Sequence, residues 1–280
     1  MILVDLNQVL ISNLMAQTRG QAEPNKDMIR HMVLNSIRGF NTKFKADYGI
    51  QVLCSDAANP WRREFFPHYK YSRRKGRETS SVDWDNIFNI ITEIKNEIKE
   101  NFPYKVLNVE RCEADDIIAT LVKHHSDSES IMIISGDKDF IQLQKYQNVK
   151  QYSPIHKKFV GEDENPITYL HEQIIKGDRS DGIPNVLSPD DVFTTEAKQS
   201  PITKKRLTEW SNMERIPLGS ETLKNYERNK KLIDLSQIPG LLENEIINTY
   251  NNYEVPDRSN LFNYFMEKKL KSLIENINDF

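Results

Sequence analysis

The chain has 280 residues, of which 38% are hydrophobic and 28% are charged, and its formal net charge is −3 at pH 7. This composition is typical of a globular protein with one large or two smaller domains, and no apolar run approaches the roughly 18 residues of a membrane helix. Asp5 interrupts the apolar N-terminus and no basic flank precedes it, which argues against a signal peptide. Cys54 and Cys112 lack the spacing of a zinc site and suit a reducing compartment.

The first 135 residues alternate between short apolar strands and amphipathic helices. Apolar runs predict strands at residues 2–4, 51–55, 105–109 and 131–135. Helices are predicted at 25–46, at 83–100 and from Asp115 onward, and isoleucine, valine or phenylalanine recurs at helical spacing in the first two. This order predicts an α/β fold whose mostly parallel sheet has helices on both faces.

The composition changes after residue 185. Residues 184–203, PNVLSPDDVFTTEAKQSPIT, are rich in Pro, Ser, Thr and Asp and predict a loop or linker. Helices are predicted at 219–233, 240–253 and 259–276, and the apolar residues of the last one, such as Phe265, are expected to pack inward. We therefore predict a catalytic domain at 1–185 and a smaller helical C-terminal domain at 186–280.

Acidic residues follow each predicted strand. A single acidic residue after a strand usually belongs to a turn or to the start of a helix. The carboxyl ends of parallel strands meet at one edge of a sheet, so these acids should converge. Carboxylates about 4 Å apart repel by about 4 kcal/mol per pair at a surface-like dielectric, so the cluster requires cations. The acids are Asp5, Asp56, Glu113, Asp115, Asp116, Asp137 and Asp139, and the loop GDRSDG adds Asp178 and Asp181.

The predicted site offers only oxygen ligands, which suit Mg²⁺ or Mn²⁺ better than zinc. Residues 137–148 lack the glycine and the glutamate of an EF-hand, and HEQII at 171–175 lacks the second histidine of a zinc protease. The chain contains no GxxxxGK[ST] loop, which excludes ATP hydrolysis of that type. We therefore predict hydrolysis of a phosphodiester assisted by two metal ions.

Residues 61–78, WRREFFPHYKYSRRKGRE, carry seven basic residues against two glutamates. The segment follows Asp56 closely and should leave the sheet at its acidic edge. Lysine and arginine neutralise phosphates, and the interleaved aromatic side chains can stack on bases. Taken alone, the segment also fits a solvated charged helix, but a neighbouring acidic site favours nucleic-acid binding. Few apolar residues lie at 68–78, so little burial is expected there.

Six stretches of the chain resemble the 5′-nuclease (flap endonuclease) superfamily, and their order and spacing match over the first 185 residues. They are ILVDLN, LCSDA, the tract from Arg62 to Arg73, CEADD, SGDKDF and KGDRSDGIP. Two further stretches, KYQNVKQYSPIHKKFV and NKKLIDLSQIP, resemble the ribonucleases H of T-even bacteriophages, and this similarity continues to the C-terminus. The resemblance implies the 5′-nuclease (PIN-like) fold with a helical arch near residues 60–80.

The same resemblance implies a 5′ to 3′ exonuclease and flap endonuclease of phage DNA replication. Such an enzyme removes RNA primers and adjoining DNA, with RNA·DNA hybrids, nicked DNA and 5′-flap DNA as substrates. The implied cofactor is Mg²⁺, as two ions that Mn²⁺ can replace. The implied protein partners are the phage single-stranded-DNA-binding protein and sliding clamp. We expect a monomer without membrane contact in the cytoplasm of the infected host.

The resemblance also assigns roles to individual residues. Asp5, Asp56, Glu113, Asp115 and Asp116 would surround the first ion, and Asp137, Asp139, Asp178 and Asp181 would surround the second. Lys70 and Arg73 would be catalytic, because they would reach the scissile region from the arch, and Tyr69 would be a stacking platform. The implied nucleic-acid contacts are Arg62, Tyr69, Lys70, Arg73, Arg74, Lys75 and Arg77.

The chain departs from the superfamily pattern at one point. Most relatives follow GDxSDNIPG with a glycine-rich hairpin that binds duplex phosphates around a potassium ion, whereas in this chain GDRSDGIPNV runs into LSPDDVF. Gly182 also replaces the usual asparagine, which puts the potassium site in doubt. Two other functions stay open from the residues alone, a PIN-type ribonuclease with another target and a non-catalytic nucleic-acid-binding protein.

Overall fold

The computed structural model describes residues 1–18, 23–212 and 219–280. Its centre is a six-stranded sheet with the order β3-β2-β1-β4-β5-β6. The first five strands in this order pair in parallel, and β6 pairs antiparallel with β5 at the edge. The strands are β1 Ile2–Asp5, β2 Gln51–Ser55, β3 Lys105–Asn108, β4 Ile131–Ile134, β5 Val149–Ser153 and β6 Lys158–Phe159. The predicted mostly parallel sheet is confirmed.

Helices surround the sheet, and none of those in the described ranges is long and apolar enough to cross a membrane. The α-helices are α1 Leu6–Thr18, α2 Lys26–Tyr48, α3 Trp61–Phe65, α4 Tyr71–Glu78, α5 Trp84–Asn101, α6 Ala114–His125, α7 Pro166–Lys176, α8 Lys204–Ser211, α9 Ser220–Ile233, α10 Gly240–Asn251, α11 Asn260–Glu267 and α12 Lys271–Ile274. Short 3₁₀ helices lie at Lys138–Lys145, Leu235–Gln237 and Ile277–Asp279.

The predicted helix at 259–276 is wrong as a single element. It divides into α11 and α12 because Lys269, between them, has a left-handed backbone with φ of 56°. The predicted loop at 184–203 contains no helix or strand, but it is held in place. Asn225 donates to the carbonyl oxygens of Val186 and Ser188, and Arg228 donates to that of Pro184. The segment is therefore an ordered loop rather than a linker.

Alternating residues of β1 point into two different hydrophobic cores. Ile2 and Val4 join one core, in which α2, α5 and the C-terminal residues Phe265 and Phe280 also pack. Leu3 joins the other core, which includes residues of α6 and α10. The C-terminal helices thus share both cores with the sheet, and a domain boundary near residue 185 stays a proposal.

Phe102 links the sheet region to the C-terminal helices. The side chain is fully buried, and its ring centre lies 5.4 to 5.8 Å from those of Tyr264, Phe265 and Phe280. We expect Phe102→Leu to lower the free energy of unfolding by about 2 kcal/mol, because buried carbons and edge-to-face contacts are lost. Urea denaturation measures the change. Phe262→Leu on α11, where the phenylalanine is 51% exposed, is the control, and an equal loss in both variants would contradict this packing.

Candidate active site

Three aspartates lie side by side at the carboxyl edge of the sheet. Asp5 ends the central strand β1, Asp56 follows β2, and Asp137 follows β4, and β1 lies between the other two strands. Burial raises the pKa of Asp5 to about 7, and repulsion from Asp56 and Asp137 adds to this effect. The convergence that the sequence predicted is therefore present in the fold.

The cluster of acidic side chains extends from this edge to the neighbouring helix and loop, and it is called the acidic field below. Burial raises the pKa of Asp115 well above its ordinary value, and repulsion from Asp137 and Asp5 contributes. Burial also raises the pKa of Asp139 to about 8, with further repulsion from Asp137, Asp178 and Asp181. These shifts mean that ionising all of the carboxylates near neutral pH is unfavourable unless positive charge is added.

Two residues of α1 that sequence reasoning missed orient the central acids. Asn7 donates to Asp56 Oδ2 at 2.7 Å, and the backbone N–H of Gln8 donates to Asp5 Oδ1 at 2.9 Å. The Gln8 side chain also accepts a hydrogen bond from the Gly136 N–H at 2.6 Å, which ties α1 to the turn after β4. Their position directly after Asp5 in the sequence was the available signal.

The second group of acids is held by α7 and by its own loop. Gln173, which sequence reasoning also missed, donates to Asp139 Oδ1 at 2.7 Å. Asp178 Oδ1 accepts from the backbone N–H of Ser180 at 2.7 Å, so the GDRSDG loop folds around its first aspartate. Burial raises the pKa of Asp181, and the nearby Lys70 and Arg73 charges oppose that rise.

The structure corrects the roles predicted for Asp116 and Arg62. Asp116 is fully buried, Arg62 is 3% exposed, and Arg62 Nη1 lies 3.0 Å from Asp116 Oδ2 and 3.1 Å from Glu113 Oε2. The Glu113 backbone N–H also donates to Asp116 at 2.9 Å. Asp116 thus anchors the start of α6 with Arg62 beneath the site, and neither side chain is placed to meet a metal ion or nucleic acid.

Tyr69 is also not the stacking platform that the resemblance implied. Its side chain is 2% exposed and packs in a small core with Ile174 and Ile183. The hydroxyl lies 2.9 Å from Glu113 Oε2 and 3.0 Å from Asp181 Oδ2. Tyr69 therefore fixes two candidate metal ligands from below, and residues 68–78 contain an apolar anchor that the composition did not suggest.

Lys70 and Arg73 lie over the acids, as predicted. Lys70 Nζ lies 2.5 Å from Glu113 Oε1 and 3.7 Å from Asp181 Oδ2, and Arg73 Nη2 donates to Asp181 Oδ1 at 2.6 Å. The Lys70 and Arg62 charges, despite burial, hold the pKa of Glu113 below its ordinary value. The pKa of Glu113 is therefore shifted in the opposite direction from those of Asp56, Asp116 and Asp181, which burial raises.

Gly182 explains how residues 68–71 meet the acidic loop. Its φ is +73°, and a Cβ atom there would lie 2.9 Å from the His68 carbonyl oxygen. This close approach lets the Lys70 backbone N–H donate to the Asp181 carbonyl oxygen at 2.7 Å. The glycine that replaces the usual asparagine thus supports the placement of Lys70.

The remaining predicted arch contacts differ in their surroundings. Arg74 donates to the carbonyl oxygens of Tyr69 and Pro67, and Lys75 pairs with the exposed Glu196. A cleft of about 480 Å³ opens beside the acids. Its basic lining comprises the predicted Lys70, Arg73 and Arg77 and also Arg63 and Lys95, which sequence reasoning missed.

Within the described ranges, no three His, Cys, Asp or Glu side chains form a ready-made metal site. Lys70, Arg73 and Asn7 instead hold oxygen atoms of Glu113, Asp181 and Asp56. The donor set nevertheless fits hard divalent cations, because it consists of carboxylates whose mutual repulsion positive charge would relieve. In the metal-free chain Lys70 and Arg73 supply part of that positive charge, at Glu113 and Asp181.

The acidic field predicts how stability changes with pH. Asp5 and Asp139 have folded-state pKa values of about 7 and about 8, above their ordinary value of 3.8, so the folded chain holds these protons more tightly. This contribution to stability is lost as pH rises from about 4 to about 8. Glu113, with a pKa lowered from its ordinary value of 4.5, contributes in the opposite direction, but only at lower pH.

We therefore expect a lower melting temperature for the metal-free protein near pH 8 than near pH 6. Excess Mg²⁺ should reduce or reverse this difference, because cations compete with these protons. Thermal unfolding followed by circular dichroism in EDTA and in Mg²⁺ measures both slopes. Identical slopes in the two conditions would contradict the clustering of these acids.

Two models of known protein families together match the whole chain. The model of the 5′-3′ exonuclease N-terminal resolvase-like domain matches residues 1–173, and the model of the T4 RNase H C-terminal region matches residues 165–280. Ribonuclease H of Enterobacteria phage T4 is 37% identical, over 99% of this chain and 95% of that protein. The chain belongs to the 5′-3′ exonuclease family.

Other relatives and solved structures agree with this membership. Flap endonuclease Xni of Shewanella piezotolerans is 28% identical over 69% of this chain and 74% of that protein. The bacteriophage T5 flap endonuclease, solved as a pseudo-enzyme-product complex with DNA and metal ions, has the same fold with a TM-score of 0.64. It is 16% identical and covers 89% of this chain and 96% of that one. The predicted 5′-nuclease fold and enzyme class are confirmed.

Proposed function

We propose that this member of the family is a Mg²⁺-dependent 5′ nuclease that removes RNA primers with adjoining DNA and cleaves 5′ flaps. The observation that carries the proposal is the acidic field at the sheet edge, with Lys70 and Arg73 on top of it and a basic cleft beside it. A carboxylate cluster repels nucleic acid unless cations bridge the two, so this arrangement suits metal-assisted phosphodiester hydrolysis better than passive binding.

Eight carboxylates would hold two ions in this site. We assign Asp5, Asp56, Glu113 and Asp115 to the first ion and Asp137, Asp139, Asp178 and Asp181 to the second. Asp116 leaves the predicted set because it is buried against Arg62. Bound Mg²⁺, or Mn²⁺ in its place, would supply an activated water and neutralise charge on the phosphate.

The chain's own residues position the reacting groups. Lys70 and Arg73 neutralise Glu113 and Asp181 in the free protein and lie where a scissile phosphate would approach. Asn7 and Gln8 hold Asp56 and the turn before Asp137, and Tyr69 holds Glu113 from below. Hydrogen bonds thus orient the ligands at the base of the site, and two cations stand at its mouth.

The biological setting follows from the family. We propose RNA·DNA hybrids, nicked DNA and 5′-flap DNA as substrates, in phage DNA replication in the cytoplasm of the infected host. The phage single-stranded-DNA-binding protein and sliding clamp are the proposed partners of a monomeric enzyme. We also propose that residues 186–280 contribute protein or duplex contacts rather than chemistry.

A substrate panel tests this function directly. Labelled 5′-flap, nicked and RNA·DNA substrates are incubated with Mg²⁺ or with EDTA, and the products are mapped to single-nucleotide resolution. We expect cuts near the flap junction and release of ribonucleotides from the 5′ end, both only with the metal. Cleavage of single-stranded RNA alone would favour a PIN-type ribonuclease, and binding without any cleavage would favour a non-catalytic protein.

The basic residues of the arch should divide into two groups. We expect Lys70→Ala and Arg73→Ala to slow single-turnover cleavage by about 100-fold, because each removes a cation next to the reacting phosphate. Changes at Arg74, Lys75 and Arg77 should mainly weaken binding and flatten its salt dependence. Lys45→Ala, at an exposed lysine on α2, is the matched control. If all of the arch variants lost the same cleavage rate once the substrate was bound, this division into two groups would be wrong.

A further inference from the structure

Helix α5 forms a wall of the cleft that no motif in the sequence pointed to. Its buried face consists of Ile87, Ile90, Ile94 and Ile98, which pack on the sheet. On another face, Phe88, Thr92 and Lys95 follow at intervals of four and three residues and line the cleft together with Lys70 and Arg73. This face is called the α5 wall below.

Phe88 stands at the outer end of the α5 wall. It is 41% exposed, and the Arg77 guanidinium carbon lies 5.5 Å from the centre of its ring. Trp84 lies 6.0 Å from the same ring at a tilt of 34°. A single exposed phenylalanine is ordinary on a protein surface. An exposed ring beside an arginine, at the mouth of a basic cleft, is the arrangement on which a nucleobase stacks.

Lys95 stands at the inner end of the α5 wall, near Asp56. Its side chain is partly buried, and it makes no hydrogen bond or ion pair with the residues that the structure describes. Burial lowers its pKa, the Asp56 charge opposes this change, and the neighbouring Lys99 adds to it. An ammonium group in a cleft, with no partner among the described residues, is well placed for a phosphate.

We propose that the α5 wall binds the single-stranded 5′ arm of the substrate, with Phe88 stacking on a base and Lys95 contacting a phosphate. Seven helical residues separate the two side chains, about 10 Å along the axis, which matches about three stacked nucleotides. The inference rests on the proposed nuclease function and adds the residues that hold the strand opposite the arch.

Base stacking on Phe88 can be measured without cleavage. A 2-aminopurine base is placed in turn at each of the first four positions of a 5′ arm, and its fluorescence is followed on binding in EDTA. We expect quenching at one or two positions in the wild type, and its loss in Phe88→Leu but not in Phe262→Leu. Equal quenching in the wild type and Phe88→Leu would overturn the stacking assignment.

The phosphate contact of Lys95 is tested by salt dependence. Binding of a substrate with a six-nucleotide arm is measured over a range of salt for Lys95→Gln and for Lys99→Gln, one turn along α5. Lys95→Gln should lower affinity by about tenfold and reduce the slope of log affinity against log salt by about 0.7. Equal effects of the two variants would overturn the contact.

These readouts also separate the two levels of inference. If the wild type cleaves flaps with Mg²⁺ but arm binding is unchanged by the substitutions at Phe88 and Lys95, the proposed function is supported and the role of the α5 wall is wrong. If quenching depends on Phe88 but the wild type cleaves no substrate, strand binding by the α5 wall is supported and the proposed nuclease function is wrong.

Discussion

Asp137→Asn is expected to slow cleavage by at least about 1,000-fold while substrate affinity stays the same or rises. Asp137 belongs to the second proposed group of ligands but also lies near the first, since its charge raises the pKa of Asp5, Asp115 and Asp139. Removing one negative charge takes away a proposed ligand and reduces repulsion of the substrate phosphates. Single-turnover cleavage and gel-shift binding, on the same flap substrate, separate the two effects.

The substitution is nearly neutral for local structure. Asp137 Oδ1 caps the following 3₁₀ helix by accepting from the Asp139 N–H at 3.0 Å, and asparagine keeps this acceptor. The metal-free fold should even become more stable, since like-charge repulsion falls. Asp163→Asn, at an exposed aspartate in a surface turn, is the control. Near-normal cleavage by Asp137→Asn at saturating Mg²⁺ would refute the assignment of this residue.

Arg62→Met is expected to lower the free energy of unfolding by about 3–5 kcal/mol, which would be the largest loss of stability among these variants. Arg62 is buried between Glu113 and Asp116, and its Nε also donates to the Leu232 carbonyl oxygen at 2.9 Å. Methionine fills much of the volume but leaves the buried Asp116 carboxylate without its cation and leaves Glu113 with Lys70 alone. Denaturant unfolding in EDTA measures the loss without a contribution from metal binding.

The matched control is Arg111→Met, which breaks an exposed ion pair with Glu64. It should change stability little, because exposed pairs are screened by water. A second readout is nucleic-acid affinity. If Arg62→Met folded as stably as the wild type but bound flap DNA much more weakly, Arg62 would be a substrate contact and not a structural cation beneath the site.

The sheet and its acidic edge could be predicted from the sequence because both depend on local patterns. Short apolar runs identify the buried strands, and the acids stand directly behind them in the chain. Parallel order then brings Asp5, Asp56 and Asp137 together without knowledge of any side-chain contact. Helices α2 and α5 were predictable for the same reason, since their isoleucine and valine residues recur at helical spacing.

The elements that were missed lack such a pattern. Helix α1 follows β1 without a break and carries further apolar residues, Ile11 and Met15, away from its fully buried positions, so no helix was predicted there. Strand β5, with the sequence VKQYS, has polar residues in its centre, and Gln151 is buried there because it donates to the Ser135 carbonyl oxygen. That partner lies in another strand connection and is not visible locally.

The errors at Arg62, Tyr69 and Asp116 have a common physical cause. The sequence shows which charged and aromatic residues stand near the site, but not whether they face the cleft or the protein interior. A buried arginine paired with two carboxylates and an exposed arginine that binds phosphate have the same local signature. Only the packing of α3 under α6 and against Leu232 distinguishes them.

The most direct test of the central claim is single-turnover cleavage of a 5′-labelled flap substrate by the wild type and by Asp137→Asn, with Mg²⁺ titrated from zero to saturation. The wild type should show no cleavage in EDTA and a saturable rate with Mg²⁺, with cuts near the flap junction, and the variant should stay inactive at every concentration. Wild-type cleavage that persists in EDTA, or equal rates for the two proteins at saturation, would contradict a metal-dependent nuclease site at this edge of the sheet.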